Sequence, residues 1–114
     1  VGWASESSPC KVYRTLVGRP RVRNETVRVA YVGGTPARLT PGQFAFRSSM
    51  ERDVVTHSPT QEFLFDYAFG SLGIDSHGSV PHPVVFNEAV CNPNYARGLT
   101  SELLFECYLV PSVC

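Results

Sequence analysis

Two short apolar stretches constrain what this chain can fold into. Val84-Val85-Phe86 combines β-branched and aromatic residues and runs into the polar pair Asn87-Glu88, which predicts a buried strand entering a turn. Phe105-Glu106-Cys107 predicts a second strand, and its cysteine is able to lock that strand to another part of the chain. Together the two stretches predict a closing β-sheet.

Length and composition favour one globular domain over residues 1–114. Apolar residues make up 43% of the chain and charged residues 18%, which is a globular rather than a disordered composition. Lys plus Arg and Asp plus Glu number 10 each, so no net charge draws the chain to nucleic acid or membrane.

The positive charges are nevertheless concentrated early in the chain, where Glu25 is the only acid. They are Lys11, Arg14, Arg19, Arg21, Arg23 and Arg28. Two interpretations remain open at this point. The segment is either a solvated basic face or a surface for phosphate or an acidic partner.

Four cysteines indicate an oxidising compartment. None of the spacings among Cys10, Cys91, Cys107 and Cys114 is that of a zinc site, so we expect two disulfides and no metal. Sequence alone allows three pairings. Asn24-Glu25-Thr26 is a glycosylation sequon, and no apolar run reaches the roughly 18 residues of a membrane-spanning helix. We therefore expect a secreted protein in its mature form.

The local patterns predict a β-rich chain with at most one helix. Asn24–Val32 fits a helix by its capping residues and a strand by its alternation, and it stays open between them. Gly18-Arg19-Pro20 is expected to break the first strand, and residues 70–83 to form a loop. Besides Val84–Phe86, the predicted strands are 10–17, 43–47, 54–56, 61–69 and 102–110.

The pattern HPVVFNEA at 82–89, followed by FEC at 105–107, resembles the C-terminal part of the fungal guanyl-specific extracellular ribonucleases. The resemblance implies an α+β fold in which one helix, at Glu25–Val32, packs on a twisted antiparallel sheet. It implies a first catalytic strand at 35–39. It also implies the disulfide Cys10–Cys107, with Cys91–Cys114 as the second pair.

The same resemblance places the family's catalytic positions on Thr35, Ala37, Glu62, Pro83 and Ala96. Of these only Glu62 keeps the chemical type. Cleavage of RNA needs an acid, a base and phosphate contacts, and a lone carboxylate cannot supply all three. His57, His77, His82 and Arg97 are the available substitutes, and the three histidines lie in predicted loops. We therefore expect a protein without ribonuclease activity.

A ribonuclease scaffold without its catalytic residues resembles the ribonuclease-like secreted effectors of plant-pathogenic fungi. That resemblance implies a monomeric binding module with no cofactor, secreted and open to translocation into a host cell. It would engage a host protein or plant immune receptor, or RNA without cutting it. Its expected surfaces are the loops 70–83 and 91–97 and the cations Lys11, Arg14, Arg19, Arg21, Arg23, Arg28, Arg38 and Arg97. The alternatives are an active endoribonuclease with relocated catalytic residues and a secreted inhibitor or adhesin of unrelated β fold.

Overall fold

The computed structural model describes residues 1–20, 31–32, 44–74 and 79–114. Within these ranges, five short strands precede two α-helices, and the second helix runs directly into a π-helical segment. In chain order the elements are β1 (Leu16–Pro20), β2 (Tyr31–Val32), β3 (Phe44–Ser48), β4 (Met50–Glu51), β5 (Val54–Val55), α1 (Ser58–Ser71), α2 (Asn94–Glu102) and the π-helical segment Leu103–Cys107.

β1 is the middle strand of a three-stranded antiparallel sheet with the order β2-β1-β3. Val17 is buried and pairs with Val32 on one side and Arg47 on the other. Gly18 lies opposite Phe46, and a Cβ on Gly18 would come within 3.0 Å of the Phe46 ring. A larger residue here would press against the aromatic ring that covers the backbone.

β4 and β5 form a separate two-stranded hairpin. Its two turn residues, Arg52 and Asp53, both have positive φ angles, at 50° and 65°. Two consecutive residues in this conformation give the turn that matches the twist of a hairpin, although Asn-Gly is the usual pair. The hairpin leads the chain into α1.

α1 forms because its apolar residues recur with helical spacing and because the sequence before it supplies a start signal. The buried positions follow the i, i+3, i+4, i+7, i+8 pattern of one helix face; they are Thr60, Gln61, Leu64, Phe65, Ala68 and Phe69. His57 caps the first turn, which also contains Pro59. Gly73, at φ 77°, follows the helix end and takes the left-handed conformation that ends many helices.

α2 and the π-helical segment continue one another and bury a single face. Ala96 and Thr100 are buried on α2, and Leu103 and Leu104 are buried on the π-helical segment. The wider π turn carries this face round to Tyr108, which is also buried.

The main core lies between α1, the π-helical segment and two extended segments, at residues 84–86 and 110–113. It consists of Phe65, Phe69, Val80, Leu103, Leu104, Tyr108 and Val110, with Ile74, Val84, Phe86 and Val113 packed at its edge. Phe65 meets two aromatic rings edge to face; the Phe65 and Tyr108 centroids, for example, lie 5.9 Å apart at an interplanar angle of 87°. This geometry is the favoured one for aromatic pairs.

The N-terminal residues contact this core from outside. The Tyr13 hydroxyl donates to the Leu64 carbonyl at 3.0 Å, and the Tyr13 ring meets the Tyr67 ring edge to face. The Trp3 ring contacts the His82 ring in the same way, with 5.0 Å between centroids.

Several sequence predictions fail against this fold. The predicted strands 61–69 and 102–110 are wrong, since they lie in α1 and in the end of α2 with the π-helical segment. Gly18-Arg19-Pro20 lies inside β1 rather than breaking it. The strands predicted at 43–47 and 54–56 are confirmed to within one residue over the described part of the chain.

The predicted α+β ribonuclease-like fold with two disulfides is also wrong. All four cysteines are free, so neither Cys10–Cys107 nor Cys91–Cys114 is formed. Burial and the neighbouring carboxylates, including Glu62, raise the pKa of the Cys107 thiol, which disfavours the reactive thiolate. The helix expected at 25–32 lies outside the described residues except for Tyr31–Val32, which form strand β2 instead. The strand expected at 35–39 lies entirely outside the described residues.

Candidate functional site

The chain ends in a two-stranded parallel pairing. Val84 forms a parallel bridge with Val113, and three backbone hydrogen bonds of 2.9–3.0 Å join Val84 and Phe86 to Ser112 and Cys114. The predicted strand at 84–86 is therefore present as a short bridge. α2 and the π-helical segment make the crossover between the two strands, as parallel pairing requires.

The outer edge of this pairing is open at Val85. Val84 and Phe86 direct their backbone groups to the partner strand, so the Val85 N–H and C=O face the other way. Within the described part of the chain these two groups make no hydrogen bond, and the Val85 side chain is 81% exposed. An open edge of this kind is a template for another strand.

The loop after this strand is fixed by one carboxylate. Glu88 accepts two hydrogen bonds from the Arg97 guanidinium, one of them from Nε at 3.1 Å, and a third from Asn92 Nδ2 at 3.0 Å. These hydrogen bonds hold the pKa of Glu88 below its ordinary value and raise that of Arg97. The carboxylate also supplies negative charge near the start of α2, whose first turn contains no acid.

The start of α1 is organised around His57. Its Nδ1 accepts the Thr60 backbone N–H at 3.2 Å and lies 2.7 Å from the Thr60 hydroxyl. Burial, Arg47 and Arg19, in that order, lower the pKa of His57. With Nδ1 as an acceptor, the neutral form of the imidazole works as a helix cap.

A buried tyrosine ties the end of the π-helical segment to α1. The Tyr108 hydroxyl lies 2.7 Å from Asp66 Oδ1 and 2.9 Å from the Glu62 carbonyl, both on α1. Burial and the hydrogen bond to Asp66 raise the pKa of Tyr108. The phenol therefore stays protonated and donates a hydrogen bond to Asp66.

Of the positions assigned by resemblance to ribonucleases, three lie among the described residues, on three different parts of the chain. Glu62 is exposed on α1, Pro83 is exposed in a loop, and Ala96 is buried on α2 with 1% of its surface accessible. Thr35 and Ala37 lie outside the described residues. Of the substitutes, His57 caps a helix, His82 contacts Trp3, and His77 also falls outside the described ranges.

The predicted basic surface is only partly described. Lys11, Arg14 and Arg19 are exposed, and the Arg19 guanidinium lies 5.2 Å from the centroid of the Phe63 ring. Arg97 is engaged by Glu88. The remaining cations Arg21, Arg23, Arg28 and Arg38, and the sequon residue Asn24, lie outside the described residues.

Among the described residues, no group of three or more His, Cys, Asp or Glu side chains is arranged to hold a metal ion. None of the helices described is both long enough and apolar enough to cross a membrane.

A family model described as Actin matches residues 1–114. This chain belongs to the actin family.

Among the similar curated proteins are several called actin-related protein 5, from organisms of several kingdoms. The chain is 42% identical to the one from Gallus gallus over 98% of this chain and 19% of the relative. It is 36% identical to the one from Arabidopsis thaliana, covering 99% of this chain and 16% of the relative. Identity to the Saccharomyces cerevisiae protein is 24%, over 98% of this chain and 15% of the relative. The chain thus spans no more than about a fifth of the length of these relatives.

Actin-family membership overturns the functional expectations from sequence. The resemblance to fungal ribonucleases and their effector relatives is wrong, since it depended on two short matches that occur within an actin-family sequence. The active endoribonuclease and the secreted inhibitor or adhesin are wrong for the same reason. Secretion, host-cell entry, and a host-protein, immune-receptor or RNA partner are not supported either.

The sequence did not predict the contact between Glu88 and Arg97 or the helix cap at His57. Glu88 enters the sequence predictions only as part of the HPVVFNEA motif, and Arg97 only as a substitute catalytic residue and a binding cation. The signal was present in the nine-residue spacing between the two, with a proline between them that begins a helix. His57 was missed as a cap because the segment after it was assigned to a strand.

Proposed function

We propose that this chain is one structural segment of an actin-related protein 5 and that the whole protein is a nuclear actin-like component of a chromatin-remodelling assembly. Similarity to proteins of that name in animals, a plant, a slime mould and yeasts supports the assignment. The segment contributes scaffold rather than chemistry. That it catalyses no reaction by itself stays a prediction.

The observation that carries this proposal is the open parallel edge at Val85. Parallel sheets are almost always covered on both faces, and two strands alone are marginal in water. Here Val85 is 81% exposed and its backbone groups are unpaired within the described residues. A parallel pair in this condition is expected of a piece of a larger sheet.

The rest of the polypeptide is the natural source of the missing strand. The relatives are more than five times as long as the region they share with this chain. A strand of the same molecule is always present at high effective concentration, whereas a separate partner must be recruited. We therefore place a strand from elsewhere in the full-length protein against Val84–Phe86.

Two lysine substitutions in the full-length protein test this arrangement. Val85→Lys puts a charge on a face of the completed parallel sheet, which is normally covered, and we expect the melting temperature to fall. Val90→Lys is the matched control, because Val90 is 95% exposed in the neighbouring loop; its melting temperature should not change. Equal melting temperatures for the two variants would count against the arrangement.

Amide hydrogen exchange gives a second measure that does not depend on any substitution. The Val85 amide should be protected in the full-length protein and exchange freely in the 114-residue chain. Rapid exchange of the Val85 amide in both proteins would contradict the proposal that another strand pairs with this edge.

The assembly itself is tested by fractionating nuclear extract that contains the tagged full-length protein. We expect it to co-elute with the ATPase of a chromatin-remodelling complex. A protein found outside the nucleus and eluting as a free polypeptide would overturn this part of the proposal while leaving the strand arrangement intact.

A further inference from the structure

His57 lies where the β-rich part of the chain meets α1. It follows the hairpin β4–β5 and has an extended backbone, with φ −131° and ψ 94°, immediately before the first helical residue. Its backbone N–H and that of Thr56 both donate to the carbonyl of Ser49, at 3.3 and 2.9 Å. Ser49 is completely buried between β3 and β4. The start of α1 is thus anchored to the end of the sheet.

The side chain of His57 connects to the helix through one ring nitrogen. A backbone N–H can only donate, so the 3.2 Å contact from Thr60 N requires an unprotonated Nδ1. The Thr60 hydroxyl, 2.7 Å from the same nitrogen, then donates to it as well. The cap therefore exists only while the imidazole is neutral, with its proton on Nε2.

The charges that act on this ring are cations from two strands of the sheet. Arg47 comes from β3 and Arg19 from β1. The first turn of α1 carries no acid. The carboxylates of the adjoining elements, Glu51 and Asp53 on the hairpin and Glu62 on α1, are not among the groups that act on His57.

Arg19 links the same two parts of the molecule in a second way. Its guanidinium lies 5.2 Å from the centre of the Phe63 ring on α1. A positive charge on His57 would therefore be placed among two guanidinium groups and the positive end of the α1 dipole. Protonation would remove the cap and add repulsion between sheet and helix at the same point.

We propose that His57 is an acid-sensitive joint between the sheet β2-β1-β3 and helix α1. In the neutral state it caps the helix and holds the two parts together, and in the protonated state it releases the first turn of α1. This inference goes beyond the scaffold role proposed above and does not depend on it.

The direction of the pH dependence follows from the folded environment. Burial and the two arginines hold the pKa of His57 below its ordinary value of 6.5, so the folded protein binds the proton more weakly than the unfolded chain. The stabilisation by the cap is fully present above pH 6.5. This stabilisation is lost progressively as the pH falls from 6.5 through the lowered pKa of His57.

Hydrogen exchange at the Thr60 amide tests the joint in the full-length protein. With exchange corrected for its intrinsic pH dependence, we expect wild-type protection of this amide to fall about fivefold or more between pH 7.5 and 5. His57→Asn keeps a capping acceptor that does not titrate, and its protection should stay flat over the same range. His57→Ala should show low protection at both pH values.

His82→Asn is the matched control, because His82 is an exposed histidine that contacts Trp3 and lies away from the helix start. It should follow the wild type. The proposal is overturned if His57→Asn loses protection with acid as the wild type does, or if His82→Asn abolishes the pH dependence. The comparison of wild type with His57→Asn decides the matter even if His57→Ala does not fold.

Discussion

The two helices of this chain begin in different ways. α1 starts at a neutral histidine whose ring nitrogen accepts a backbone N–H, whereas α2 starts at Pro93 with no side-chain cap. α2 depends instead on Glu88, which lies before the helix and binds Arg97 in its first turn. The first arrangement satisfies an unpaired N–H group of the helix start, whereas the second ties the preceding loop to the first turn of the helix.

The difference decides how each start responds to its surroundings. A neutral cap is insensitive to salt and is lost when histidine gains a proton. An exposed ion pair is screened by salt and is lost only at the lower pH where a carboxylate gains a proton. The helices also differ in how much of each is buried, since six residues of α1 are buried and two of α2.

The largest effect should come from the buried face of α1. Phe65 packs against Phe86 and Tyr108, and Phe65→Ala should lower the free energy of unfolding by about 3–5 kcal/mol through lost contacts and a residual cavity. Tyr95→Ala on α2 is the control, because Tyr95 is 75% exposed; its change should stay within about 0.5 kcal/mol. Thermal unfolding measures both, and similar losses would mean that the two helices carry equal shares of the core.

An intermediate effect is expected where the end of the π-helical segment is tied to α1. Tyr108→Phe removes the hydroxyl that contacts Asp66 and the Glu62 carbonyl, and should cost about 1–3 kcal/mol, as expected for a hydrogen bond to a charged group. Asp66→Asn keeps an acceptor and should cost less. If Tyr108→Phe is as stable as wild type, this hydroxyl makes no net contribution to the free energy of unfolding.

The smallest effect should come from the start of α2. Glu88→Gln removes the ionic part of the contact with Arg97 and should lower the melting temperature less than His57→Ala does. The difference from wild type should shrink toward 1 M salt, where charges are screened beyond about 3 Å. Because hydrogen bonds from Arg97 and Asn92 lower the pKa of Glu88, its contribution is present above pH 4.5 and lost as the pH falls below that value. A difference unchanged by salt would argue against an electrostatic origin.

Local chemistry predicted the strands near 44–48 and 54–55, where β-branched and aromatic residues alternate. It failed at 61–69, where Phe63, Phe65 and Tyr67 alternate but Leu64, Phe65, Ala68 and Phe69 also match a helix. Period alone could not decide between them. The proline at the start of the helix, Pro59, is a start signal that favours the helix.

The fold could not be reached from the chain alone for a different reason. Four cysteines suggested a stapled secreted domain, yet they are free thiols in an actin-family protein. The open edge at Val85 depends on a pairing between residues 84 and 113, which no local pattern reveals. A strand that finds its neighbours far along the polypeptide leaves little trace in its own sequence.

The π-helical segment Leu103–Cys107 has a consequence for how this region can change in evolution. Its hydrogen bonds reach one residue further than those of an α-helix, so it holds one residue more than a regular helix would need. An ordinary α-helical turn of the same residues would rotate everything after it about the helix axis, because each residue of an α-helix advances by about 100°. Tyr108 would then leave the core and the strand around Val113 would lose its register. Substitutions at exposed Phe105 and Glu106 that keep the wide turn would leave the positions of these later residues unchanged.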